Sequence, residues 1–205
     1  MKQIATLLLA LLCHSALATY SPKNIIMIVG DGMGPSYTTA YRMYADDPST
    51  PEVETTVFDR LLVGMASTHP DMETGYVTDS AASATALATG VKTYNGAIGV
   101  DINKKPVQSV LQLAKKQGRK TGIAVTSQVN HATPASFGTH NESRQNYDQI
   151  ADSYFDEKTN GQFVLDVILG GGWKYFIRED RNLVAQFKAA GYQYVDELTQ
   201  LDTVK

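Results

Sequence analysis

The sequence predicts an α/β fold, a mostly parallel central sheet with helices on both faces, present in incomplete form. Continuous apolar runs such as "IIMIVG" (25–30) suit strands buried on both faces, as parallel strands are. Segments of helical period alternate with these runs, and a βαβα order lays successive strands parallel. No repeat, low-complexity tract or linker-like shift in composition divides the chain, so the elements belong to one domain.

In chain order, residues 1–18, "MKQIATLLLALLCHSALA", carry Lys2, an apolar run from Ala5 to Leu12 and the small-x-small end Ala16-Leu17-Ala18. This is the pattern of a secretory signal peptide, and the run is too short for a membrane anchor, which needs about 20 apolar residues. Cys13 lacks the small residue before it that lipoprotein signals carry. Cleavage leaves residues 19–205 without cysteine, so stability outside the cytoplasm must come from packing or bound metal.

After a polar lead, the strand expected over 25–30 ends at Gly30-Asp31-Gly32. "SYTTAYRMYADD" behind Pro35 reads as a helix closed by Pro48 and Pro51. "LLVGMAST" (61–68) is a second strand candidate. "PVQSVLQLAKKQG" places Val107, Val110, Leu111 and Ala114 at helical spacing, with Lys115 and Lys116 in the last turn and Gly118 at the C-cap. "TGIAVTS" (121–127) follows as a strand. "YDQIADSYF", "FVLDVILGGG", "NLVAQFKAAG" and "YQYV" continue the alternation. The chain stops at "DELTQLDTVK", shortly after a strand candidate and without a terminal helix signal, and reads as unfinished.

The composition, 43% hydrophobic and 19% charged, is that of a globular protein that can bury a core. A net charge of −3 without a basic stripe argues against a nucleic-acid partner.

Candidate chemistry begins at Asp31 in "IVGDGMG", beyond the end of a predicted strand, where open parallel sheets hold their ligands. A dinucleotide fingerprint is the competing idea, but Gly30, Gly32 and Gly34 run as G-x-G-x-G and Pro35 stands where a helix-opening glycine is expected. Asp31 also reads simply as a turn cap. In "YVTDSAASATALATG" (76–90), small helix formers run up to a Gly90 stop, which puts the N-cap at Thr78, Asp79 or Ser80. A serine there is ordinarily a cap, yet the free N–H groups and dipole of a helix N-terminus also favour an alkoxide or a bound phosphate. Serine needs a base or a metal to become a nucleophile, and with no G-x-S-x-G and few histidines a metal is the natural activator. "HATPASFGTHNESR" (131–144) sets His131, the Thr133 hydroxyl and the Arg144 guanidinium on one polar segment. Hydroxyl and carboxylate oxygens suit Mg²⁺, imidazole suits Zn²⁺, and a guanidinium can hold two phosphate oxygens. Singly, each of these residues reads equally as a loop residue or a surface charge.

Together, "IVGDGMG", "YVTDSAASATALATGVKTYNGAIGVD", "NHATPASFGTHNESR" and "VILGGGWKYF" resemble, in order and spacing, the N-terminal half of bacterial alkaline phosphatases of the periplasmic type. The resemblance runs from about residue 24 to the end. It implies an alkaline-phosphatase-like fold, a leader at 1–18 and the N-terminal part of the catalytic domain at 19–205. It further implies hydrolysis of phosphate monoesters through a phosphoserine, with two Zn²⁺ and one Mg²⁺ per site, in a periplasmic or secreted protein that is a homodimer at full length. By that resemblance Ser80 is the nucleophile and a zinc ligand, and Asp31 is shared between one zinc and the magnesium. Thr133 is a magnesium ligand, Arg144 holds the phosphoryl oxygens, and Asp79 orients that arginine. His131 falls where members carry Asp or His and bears on the third metal site. The remaining ligands of the family lie in a second half with no counterpart in these residues. His69 and His140 cannot replace them, so the expected activity of these 205 residues alone is very weak.

Two other readings compete. A related superfamily hydrolase acting on phosphodiesters or sulfate esters is one, though the C/S-x-P-x-R signature of a sulfatase is missing. A secreted, non-catalytic phosphate- or metal-binding module is the other.

Overall fold

The computed structural model describes residues 22–204, so the signal peptide expected at 1–18 lies outside the described residues. The chain divides into two compact units, Met1–Gly64 and Met65–Lys205.

In the first unit, helix α1 (Pro35–Ala45) starts behind Gly34, with Pro35 in the position where a missing N–H costs nothing. Helix α2 (Val57–Leu61) is opened by a capping box in which Thr56 and Asp59 satisfy each other's free groups. Asp59 also takes the Arg42 Nε–H at 3.0 Å, tying α2 to α1, and this guanidinium holds its carboxyl well below the usual carboxylate range. The helix expected behind Pro35 is therefore formed.

The strands expected over 25–30 and 61–68 are not. Residues 24–30 and 62–71 run without a ladder partner among the described residues, and Ile26 and Ile28 are 85% and 88% exposed. Such runs encode a preference for burial on both faces, which a strand realises only between neighbours. Nothing local, such as a hairpin turn, supplies one.

In the second unit a 3₁₀ turn (Met72–Thr74) precedes α3 (Ser80–Thr89) and α4 (Val110–Lys116). Strand β1 (Gly122–Gln128), α5 (Ala132–Gly138) and α6 (Tyr147–Asp156) follow. The hairpin β2 (Lys158–Thr159) and β3 (Gln162–Phe163) turns through Asn160 and Gly161, both at positive φ, as a tight Asn-Gly hairpin requires. Strand β4 (Val167–Gly171) and helices α7 (Trp173–Phe176), α8 (Leu183–Ala189) and α9 (Leu198–Leu201) complete it. β1 and β4 pair in parallel, Gly122 opposite Val167 and Ala124 opposite Leu169, giving the α/β class predicted. The extended segment expected at 192–195 does not pair. Tyr192 turns instead into an aromatic cluster with Phe163 and Phe187 and donates its hydroxyl to the Leu165 carbonyl.

The core explains the small side chains of 80–90. Ala81, Ala84 and Ala88 on α3 are buried, as are Ala132, Ala135 and Ser136 on α5, and the two helices pack against each other. Small residues let the backbones approach, and the buried hydroxyls then find partners. Thr85 Oγ1 donates to the Ala97 carbonyl at 3.0 Å and lies 3.2 Å from Ser136 Oγ. Gly138 is held to glycine by space, because a Cβ there would sit 2.9 Å from Tyr154 Cε1. Lys115, expected merely to face the α4 dipole, is buried and paired with Asp166 at 2.5 Å.

Candidate active site

Helix α3 presents Ser80 as its first residue because Asp79 is the N-cap. The Asp79 backbone is extended, and its Oδ1 accepts the Ala82 N–H at 2.9 Å. At the other end Gly90, at φ +76°, closes the helix in the left-handed conformation and donates its N–H to the Ala86 carbonyl. Ser80 is thereby fixed at the positive end of a ten-residue helix.

Arg144 arrives from 64 residues away in sequence. Its Nη1 donates to Ser80 Oγ at 3.0 Å and to Asp79 Oδ2 at 3.1 Å, and its Nη2 lies 3.2 Å from His131 Nε2. A guanidinium has only donors, so in a hydrogen bond across that contact His131 Nε2 is the acceptor. His131 is the N-cap of α5, directly after the β1 turn. Four of the residues singled out in the sequence, Asp79, Ser80, His131 and Arg144, thus form one cluster.

Thr133 lies half-buried in the first turn of α5 and makes no hydrogen bond to these four. Asp31 belongs to the first unit, in an exposed turn beside Gly32 at φ +61°. His69 Nδ1 faces the Pro70 carbonyl at 2.8 Å. His140 is built into the scaffold: Nδ1 meets Glu157 Oε2 at 2.5 Å and Nε2 meets the Val107 carbonyl at 3.1 Å. Burial pushes its pKa down, but the Glu157 carboxylate and the Val107 carbonyl together outweigh that and the net shift is upward.

The turn at 94–98 lies inside the motif at 76–101, but the sequence assigns its residues no role. Asn95 Oδ1 accepts the Asp79 N–H at 2.9 Å and its Nδ2 donates to the Val77 carbonyl at 2.9 Å. The Gly96 carbonyl accepts the Arg144 N–H at 2.7 Å, and Tyr94 donates its hydroxyl to the Glu142 carbonyl at 2.8 Å. The dipeptide Asn95-Gly96 was the available signal, since it marks a tight turn. It does not say what the turn touches.

Among the described residues, no group of three or more His, Cys, Asp or Glu side chains is gathered to hold a metal ion. An open groove of about 1500 Å³ runs along β4, lined by Gly122, Asp166, Trp173 and Tyr194 among others, and none of the four clustered residues lines it.

A helix-capping aspartate, a serine at a helix N-terminus and an arginine shared between them form one polar cluster on an α/β scaffold. The profile of the alkaline phosphatase family matches residues 22–205, and the chain belongs to that family. Alkaline phosphatase 4 of Bacillus subtilis is 58% identical over 174 residues, covering 84% of this chain and 38% of that protein. The crystal structure of a cold-active alkaline phosphatase from a psychrophilic Shewanella is 64% identical with a TM-score of 0.76, covering 86% of this chain and 42% of that one. A variant of TAB5 alkaline phosphatase with magnesium bound in its M3 site is 34% identical with a TM-score of 0.56, covering 67% of this chain and 39% of that one. The chain thus spans about two fifths of the length of these relatives.

Proposed function

We propose that this chain carries the nucleophile side of a phosphate monoester hydrolase, with Ser80 as the residue that is phosphorylated. The observation that carries this is the Arg144 fork resting on both Ser80 Oγ and Asp79 Oδ2 at the N-terminus of α3. A phosphoryl group on Ser80 would have its oxygens beside the guanidinium and the free N–H groups of the first helical turn, two independent sources of positive potential. Asp79 holds Arg144 in orientation, so the arginine is aligned before substrate arrives. In the first step the serine oxygen bonds to phosphorus as the bond to the leaving alcohol breaks. In the second, water releases inorganic phosphate and restores the hydroxyl.

The family reading carries a requirement for two zinc ions and one magnesium, with Asp31, Ser80, His131 and Thr133 as this chain's contributions. The magnesium of the TAB5 variant supports it in part. On that reading the full centre takes further donors from the family's second half. The same reading places the protein in the periplasm or outside the cell, as a homodimer. Among the described residues no helix is long and apolar enough to cross a membrane.

The test is hydrolysis of p-nitrophenyl phosphate at alkaline pH, with Zn²⁺ and Mg²⁺, by the product of the whole gene beside a Ser80→Ala variant. Loss of at least about 10³-fold in kcat, with phosphate recovered on Ser80 after acid quench, is the expected result. Turnover that survives Ser80→Ala removes the assignment.

A further inference from the structure

The chemistry above depends on two loops far apart in sequence: the one that ends in Asp79 and Ser80, and the one that carries Arg144. Both are held by a single short turn. Its floor is fixed in the core, because Ala97 and Ile98 are fully buried and Thr85 Oγ1 donates to the Ala97 carbonyl and accepts the Gly99 N–H, each at 3.0 Å. From that floor Ile98 and Asn141 exchange both backbone hydrogen bonds, 2.9 and 2.8 Å, and the Gly96 carbonyl takes the Arg144 N–H. The Arg144 loop is therefore held by three backbone hydrogen bonds, with the Tyr94 hydroxyl on the Glu142 carbonyl beside them.

The nucleophile loop is held differently. Its contacts with the turn run through one side chain, the Asn95 carboxamide, which accepts from the Asp79 N–H and donates to the Val77 carbonyl. An amide supplies both a donor and an acceptor on one rigid plane, so the two bonds fix the orientation of the peptide segment on either side of Thr78. Position 95 is exposed, so this carboxamide contributes no core packing.

We infer that Asn95 is a positioning residue, which sets the placement of Ser80 Oγ against Arg144 by clamping the backbone before the α3 N-cap. The inference deepens the proposed function and rests on it for its catalytic consequence, while the clamp itself is measurable without turnover. Asn95 bonds to backbone atoms of Asp79 and Val77, and not to Ser80 Oγ or the Arg144 guanidinium. Its loss would shift the serine oxygen relative to a guanidinium still anchored at Gly96. Misplacing a nucleophile by about 1 Å costs on the order of 10²-fold in rate.

The experiment compares wild type, Asn95→Ala and Asn95→Asp as products of the whole gene. Amide hydrogen exchange is read at Asp79, Ile98 and Asn141, and kcat and KM are read with p-nitrophenyl phosphate. In Asn95→Ala the Asp79 amide is expected to exchange at least about tenfold faster, with Ile98 and Asn141 unchanged. kcat is expected to fall about tenfold or more while KM stays within about twofold, because the Arg144 anchor is untouched. Asn95→Asp keeps the acceptor for the Asp79 N–H and is expected to recover part of both the protection and kcat. Unchanged exchange at Asp79, an unchanged kcat, or faster exchange shared equally by Ile98 and Asn141 would each overturn the inference. A wild type that hydrolyses no ester would sink the proposed function instead, and the Asp79 exchange rate would still decide whether Asn95 is the clamp.

Discussion

Arg144 concentrates the site's logic in one planar group. Its Nη1 serves Asp79 and Ser80 together while Nη2 faces His131, an arrangement that needs several donors in a fixed fork. A lysine would bring the same charge as a single point and could not keep all three contacts. Arg144→Lys is therefore expected to weaken competitive inhibition by inorganic phosphate about tenfold, roughly 1.4 kcal/mol, with Ser80 still phosphorylated. An unaltered inhibition constant would remove Arg144 from the binding of phosphoryl oxygens. At this scale the sequence was informative where chemistry and spacing coincide. Asp79 and Ser80 are adjacent, and a cap followed by small helix formers announces the helix start. Asn95 gave no such notice, because its importance lies in backbone atoms 16 residues upstream that no local pattern reveals.

The helices at 35–45, 80–89 and 110–116 were legible, whereas α5, α9 and several strands were not, and for the strands the reason is physical. A helix closes its hydrogen bonds within itself, so caps such as Ser109 with Gln112, Asn182 with the Ala185 N–H, and Asp79 with the Ala82 N–H can be read locally. A strand closes its bonds on a neighbour, and the apolar runs at 25–30 and 61–68 have none among the described residues. β1 and β4 do form, since each finds the other across the α5–α6 connection. At the element scale His140 is a joint, linking the start of the Arg144 loop to Glu157 at the end of α6 and to the segment at Val107. Both ring nitrogens face acceptors, so the imidazolium satisfies both. With its folded-state pKa raised, His140 adds stability that is fully present below the free value of about 6.5 and is lost as pH rises through the folded value. Urea unfolding across about pH 6 to 9 should therefore show wild type losing stability with rising pH more steeply than Glu157→Gln. Parallel curves would mean that the pair contributes nothing to the pH dependence.

For the whole molecule, the proposed function turns on metal supply. The chain matches the alkaline phosphatase family along residues 22–205, yet it spans about two fifths of its relatives' length and gathers no metal cluster among its described residues. It also leaves Ile25, Ile26 and Ile28 exposed in an unpaired apolar run, the kind of segment that associates with other chains. On the proposed reading, a serine activated by metal turns over only when the family's remaining ligands are present beside it. Purified residues 19–205 are therefore expected to bind Zn²⁺ with a Kd weaker than about 1 μM and to hydrolyse p-nitrophenyl phosphate no faster than the Ser80→Ala control. The product of the whole gene is expected to lose turnover on chelation and to regain it with Zn²⁺ and Mg²⁺ together. Calorimetry on a dilute sample, confirmed monomeric by light scattering, separates weak binding from association through the exposed run. Tight stoichiometric zinc binding by residues 19–205, with turnover that vanishes in Ser80→Ala, would show that these residues assemble a working metal centre without further donors.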